Sequence, residues 1–162
     1  MKTFGSLGKF SDQLDKLVIK YPDYEFKASN YLGELLKKSA REKIGHLQPS
    51  AGEFEAWQPL ADSTKKDKER LGYVFNSDYN PLYRTGELMD SIGYVFFIAG
   101  RALYLGSTSE IMVYQELGTK YIPPRSVLGL TMYAASILII KVYSKMLCDW
   151  ICGKSLTLNF IS

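Results

Sequence analysis

Tyr94-Val95-Phe96-Phe97-Ile98-Ala99-Gly100-Arg101-Ala102-Leu103-Tyr104-Leu105 is the stretch on which the fold class turns. Its β-branched and aromatic residues favour strand, so two strands are predicted, joined at Ala99-Gly100-Arg101 with Gly100 allowing the turn. Both faces of the first strand are apolar, which predicts cover on two sides. Nearly everything around this pair has helical periodicity instead.

Upstream, Phe10, Leu14, Leu17, Val18 and Tyr21 share one helical face, with Ser11 and Asp12 at its start and Pro22 as its stop. A second helix is predicted from about Ala28 to Ile44. Its stripe is Ala28, Tyr31, Leu32, Leu35, Leu36 and Ala40. Lys37, Lys38, Arg41 and Lys43 near its end complement the helix dipole, and Gly45 fits the position just past it. From His46 to Asn80 the periodicity fades around Pro49, Gly52, Pro59, Gly72 and Asn76, predicting a long loop with one short helix. Trp57 and Leu60 are expected to pin that loop to the core.

Closer to the strands, Thr85 is expected to cap a short helix through Ile92. Ser107-Thr108-Ser109-Glu110 reads as a capping box for a helix to Leu117, closed by Gly118. A long helix is predicted from about Ser126 to Trp150. Leu156-Thr157-Leu158-Asn159-Phe160 alternates as a half-buried strand does. The expected architecture is α+β: a single domain over 1–162, with a small antiparallel sheet packed against an N-terminal helical pair and a long C-terminal helix. Within it, 1–45 is the helical pair, 46–80 the loop, and 81–162 the motif-bearing part.

Composition bounds what such a domain does. With 162 residues, 46% hydrophobic and 23% charged, the chain is long enough to bury a core and too apolar for global disorder. A net charge of +3 is too small to announce a polyanion binder. That surplus lies wholly in residues 100–162, which carry 6 basic and 3 acidic side chains, whereas residues 1–99 balance at 14 of each. Such thin charge cover, with 12 tyrosines in the chain, predicts either core or a surface covered by another chain. No apolar stretch follows Met1-Lys2, so no signal peptide is predicted. The uncharged run Ser126–Ile140 is shorter than the ~20 residues of a bilayer span, and a buried helix in a cytoplasmic protein is expected.

Enzyme signatures do not emerge. His46 is the only histidine and stands at a helix end, and Cys148 and Cys152, four apart on a helix, read as two small buried hydrophobes. No metal or cofactor set is predicted. Glu87, Asp90 and Glu116 are conceivable hydrolytic acids, but Glu87 and Asp90 suit a helix start without any chemistry. The runs Lys37-Lys38 with Arg41 and Lys43, and Lys65-Lys66-Asp67-Lys68-Glu69-Arg70, read first as solvated faces. A DNA-binding module using the first of them is the alternative function, and a cryptic hydrolase using Glu87 or Glu116 is a less favoured one.

Three segments stand out in order. They are Trp57-Gln58-Pro59-Leu60 followed by Thr64-Lys65-Lys66; then Pro81-Leu82-Tyr83-Arg84-Thr85-Gly86-Glu87-Leu88-Met89-Asp90-Ser91-Ile92; then Tyr114-Gln115-Glu116-Leu117-Gly118-Thr119 with Ile122-Pro123-Pro124-Arg125-Ser126-Val127-Leu128-Gly129. Together they resemble the tail-completion or virion-morphogenesis proteins at the neck of tailed bacteriophages, the group that includes the Mu gpG-like proteins. Those proteins often carry Pro-Phe-Leu-Gly where this chain has Ser126-Val127-Leu128-Gly129. The resemblance implies a non-enzymatic virion protein at the head–tail junction, assembled in the host cytoplasm. It further implies a homo-oligomeric ring, with connector or head-completion proteins and tail-tube or terminator proteins as partners. DNA would at most pass through the ring, and no membrane is involved.

The matched residues also have a direct physical reading. Ile122-Pro123-Pro124-Arg125 is rigid and extended, and the fork of Arg125 suits a carboxylate on a partner or on Glu116. Thr85-Gly86 lets the chain turn into a helix against Trp57. On the long helix, Leu128, Met132, Ala135, Ile139, Val142 and Met146 form one stripe, and Tyr133, Ile137, Ile140 and Leu147 a second. Two stripes predict cover by a sheet and by something else, either the N-terminal helices or a neighbouring subunit. The assembly candidates are therefore Trp57, Pro59, Leu60, Arg84, Thr85, Gly86, Glu116, Gly118, Ile122, Pro123, Pro124, Arg125, Tyr133 and Ile137.

Overall fold

A computed structural model describes residues 6–159. The elements are α1 (Leu7–Lys43), α2 (Asp62–Leu71), α3 (Glu87–Asp90), β1 (Ile92–Phe97), β2 (Ala102–Ser107), α4 (Glu110–Leu117) and α5 (Leu128–Cys152). β1 and β2 form an antiparallel pair with Ile92 opposite Ser107 and Phe97 opposite Ala102. The fold is single-domain α+β, and it resolves into two compact units. One is Gly33–Ser136; the other joins the chain up to Leu32 with the chain from Ile137 onward.

In the Gly33–Ser136 unit the hairpin lies on the C-terminal part of α1. Gly33 makes this possible, since a Cβ there would come within 2.2 Å of the Tyr94 ring. The Tyr94 hydroxyl donates to Glu34 Oε1 at 3.1 Å, and Arg41 Nη2 donates to the Asp90 and Ile92 carbonyls at 3.2 and 3.4 Å. The core beneath gathers Ala40 and Ile44 from the end of α1, Trp57, Ile92 of β1, Met112 of α4 and Val127 just before α5. Trp57 thus pins its loop as expected. Leu60 is only partly buried.

In the other unit the two helix segments run antiparallel. Ala28, Leu32, Val142 and Met146 are buried. The Trp150 indole packs edge-on to Tyr21 at 4.9 Å and donates through Nε1 to the Leu17 carbonyl at 2.7 Å. Ser29 Oγ and the Tyr143 hydroxyl share a 2.9 Å bond.

This last set of contacts explains a correction. The expected helical pair is one helix, because Pro22 lies inside α1 and does not end it. Proline withholds one N–H and crowds the preceding turn. The carbonyl left without its helical donor is that of Val18; one residue earlier the Leu17 carbonyl accepts from Trp150 Nε1, which ties this stretch of α1 to α5.

Other expectations shift by a residue or a face. Thr85 is not the cap of α3; Gly86 holds that position with φ +93° and no side-chain bond forms there. The capping box at Ser107 does not form either, since the cap position of α4 is Ser109, two residues later, and the Ser107 hydroxyl is held by Ser91 Oγ and Ser109 N. The turn between the strands places Arg101, not Gly100, at positive φ, and Gly100 is needed because the Phe97 ring lies against it. Only one face of β1 is covered: Ile92 is buried while Val95 and Phe97 are exposed. Residues 156–159 form no strand, and Phe160 lies outside the described residues.

α5 brings the largest correction. It is not the buried helix expected from Ser126–Ile140. Thr131, Val142, Met146 and Asp149 face inward, whereas Tyr133, Ile137, Ile140, Leu147 and Ile151 are exposed, Ile137 and Ile140 each by 66%. The first predicted stripe is largely the covered one, and the second stays exposed among the described residues, with Tyr133 touching Phe54. Cys148 and Cys152 are exposed free thiols, because they fall outside the inward face. By length and composition α5 could cross a bilayer, with Lys141, Lys145 and Asp149 along it.

Candidate functional site

The three motif segments, far apart in sequence, wall one cleft of about 800 Å³ in the Gly33–Ser136 unit. From the first come Gln58, Pro59 and Leu60; from the second, Leu82 through Leu88, including Arg84, Thr85 and Gly86; from the third, Gln115, Ile122, Pro123 and Arg125. Ile111 of α4 and Lys68 of α2 complete the wall.

Its geometry begins with the turn after α4. Gly118 has φ +72°, and a Cβ there would meet Pro124 N at 2.9 Å and Ile122 O at 3.0 Å. Thr119 N donates to Ile122 O at 2.8 Å, closing the turn, and Pro123 and Pro124 then carry the chain back extended. Arg125 N donates to Gln115 O at 2.6 Å, so the returning segment is stitched to α4.

Glu116 does not pair with Arg125. Its carboxylate accepts from Ser126 Oγ at 2.6 Å, from Val127 N at 2.7 Å and from Leu128 N, and reaches Gly129 N at 3.5 Å. Glu116 is therefore the cap of α5, placed where the orphan N–H groups and the positive end of the dipole both favour a carboxylate. With its oxygens so engaged it is not a free catalytic acid, and Glu87 is the only acid lining the cleft among the described residues.

Arg125 is left in an unusual position. It is 6% exposed, donates through Nη2 to the Gln58 carbonyl at 3.0 Å, and its Nε is buried with no partner. No carboxylate pairs with it among the described residues. Burial alone holds its guanidinium below the usual arginine range. Beside it, Gln115 Oε1 is also buried without a donor.

A second buried cation stands in the same wall. Lys68, 8% exposed, donates to the carbonyls of Asn80 and Tyr83 at 2.6 Å each. Burial first, then the nearby charge of Arg84, holds its amine below the ordinary lysine range. It ties down a segment where Tyr79, Asn80 and Leu82 all have positive φ, a conformation that costs about 1–3 kcal/mol at each ordinary residue. The Asn80 side chain secures the same segment by accepting from Phe75 N at 2.6 Å and Asn76 N at 3.2 Å. Arg84 bridges to Asp67 at 3.2 Å at the rim.

Lys68 was not singled out by sequence reasoning, which placed it in a solvated charge run. Nothing local marks it, because its five charged neighbours between Lys65 and Arg70 look the same. Of the other candidates, Trp57 belongs to the core, Glu116 and Gly118 shape the turn behind the cleft, and Pro124 is exposed outside it. Tyr133 packs edge-on to Phe54 at 6.2 Å, and it and Ile137 lie on the exposed face of α5. At the basic end of α1, Arg41 serves two carbonyls, Lys43 bonds Ser39, and Lys38 pairs with Glu42 at 3.9 Å. Among the described residues no group of three or more His, Cys, Asp or Glu is placed to hold a metal ion.

Compared with protein-family models, curated proteins and solved structures, the chain matches none.

Proposed function

We propose that this chain is a structural virion protein of a tailed phage, a neck or tail-completion subunit that forms or joins a ring at the head–tail junction. The observation that carries the proposal is the uncovered apolar face of α5, Tyr133, Ile137, Ile140, Leu147 and Ile151. A monomer rarely leaves so much contiguous apolar surface in water, and repeating one such contact around an axis closes a ring. The exposed residues Val95, Phe97 and Tyr104 of the hairpin offer a second surface for the facing side of a heterologous contact. The resemblance of the three cleft segments to neck proteins supplies the biological setting.

Electron microscopy and sedimentation of the purified protein test this reading. Rings are expected, alone or with purified connector or tail rings, and the double variant Ile137→Ser/Ile140→Ser is expected to abolish them while leaving a folded monomer with the native circular dichroism. A chain that stays monomeric at high concentration in both settings overturns the proposal.

A further inference from the structure

The cleft holds two cations that no carboxylate neutralises among the described residues. Lys68 and Arg125 are both more than nine-tenths buried, both line the cleft, and both are met only by carbonyl oxygens. Arg84, paired with Asp67 at the rim, adds a third basic side chain, and Glu87 is the single acid lining the cleft among the described residues. A buried cation without an anion is costly, and the usual compensation is a charge-assisted bond to a carboxylate or phosphate. Around these charges the wall is apolar, with Pro59, Leu60, Leu82, Ile111 and Ile122. Apolar walls with a few convergent polar groups describe a binding site, and the 800 Å³ falls in the range of such sites.

We propose that this cleft receives an extended segment of a partner protein and seats an acidic side chain of that segment on the Arg125 guanidinium. Charge complementarity selects the acid, and the apolar wall selects a peptide carrying aliphatic neighbours over a bare phosphate backbone. The rigid Pro123-Pro124 approach fixes Arg125 before binding, so little ordering is required of the receiving side. That the occupant is a protein segment rests on the assembly reading; the preference for a carboxylate rests on the cleft alone.

The experiment uses the full chain against a bead-displayed random heptapeptide library. Enriched peptides are expected to share an Asp or Glu flanked by aliphatic residues. Their Asn or Gln versions should bind at least tenfold more weakly, and Arg84→Gln should weaken binding about threefold. Arg125→Met should abolish binding. Should that variant fail to fold, the Arg125 side-chain N–H resonances of the native protein, followed by NMR, are expected to shift on adding the acidic peptide and not its amide version. No enrichment, enrichment without an acidic position, or equal binding of the amide versions overturns the proposal, as does inorganic phosphate or an oligonucleotide displacing the peptides. Peptide failure in a protein that forms rings removes only the cleft assignment, whereas a monomer that binds acidic peptides removes only the ring.

Discussion

The Gly33–Ser136 unit and the unit built from the two helix segments outside it are held by different kinds of contact. In the first, side chains bind the backbone of distant turns: Glu116 caps α5, Lys68 and Asn80 secure the strained run near Leu82, and Arg125 grips the loop at Gln58. In the second, two helix surfaces meet through apolar and aromatic residues, with the Trp150–Leu17 and Ser29–Tyr143 bonds among the polar links. The first design specifies loop geometry and so builds a cleft. The second specifies only that two helices lie side by side.

The comparison is broken most severely at Glu116. Glu116→Ala removes the cap of α5 and orphans the donors it serves, for an expected loss of about 2–4 kcal/mol in urea unfolding, with Glu116→Gln recovering part of it. Gly118→Ala should cost about 1–3 kcal/mol, because positive φ and the contact with Pro124 must both be relieved. In the other unit, Trp150→Phe keeps an aromatic ring but loses the bond to Leu17 and part of the packing on Tyr21, so about 1–2 kcal/mol is expected. A loss there as large as that at Glu116 would erase the distinction.

The smallest effect concerns Tyr94. Burial, then its bond to Glu34, raises the phenol above its ordinary value of 10.0. In the window above pH 10 the unfolded chain releases this proton before the folded one does, so stability is full below that range and falls as pH rises through it. Tyr94→Phe should flatten the alkaline decline in melting temperature while leaving its value near pH 7 nearly unchanged.

Legibility followed the range of the forces involved. The four-residue spacing of Ala28, Leu32, Leu36 and Ala40 is a local pattern, and each of these residues is buried where the spacing puts it. The strand pair was readable for the same reason. Pro22 misled because a proline removes only one helical bond, while the packing that holds this helix, on Val142, Met146 and Trp150, comes from more than 100 positions later. Glu116 looked like a partner for Arg125 since sequence shows charges but not the orphan N–H groups of a helix end. The convergence of three segments on one cleft needs the folded path of the loops. The exposure of the second stripe on α5 was half visible: its apolar character could be read, its lack of cover within one chain could not.

That uncovered stripe has a thermodynamic consequence. Whatever covers Tyr133, Ile137, Ile140, Leu147 and Ile151 recognises a helix that exists only in the folded chain. Its binding therefore draws the folding equilibrium along with it, by an amount that grows with the logarithm of the partner's concentration. For a partner that is another copy of the chain, the melting temperature ceases to be a constant of the molecule and rises with every dilution avoided.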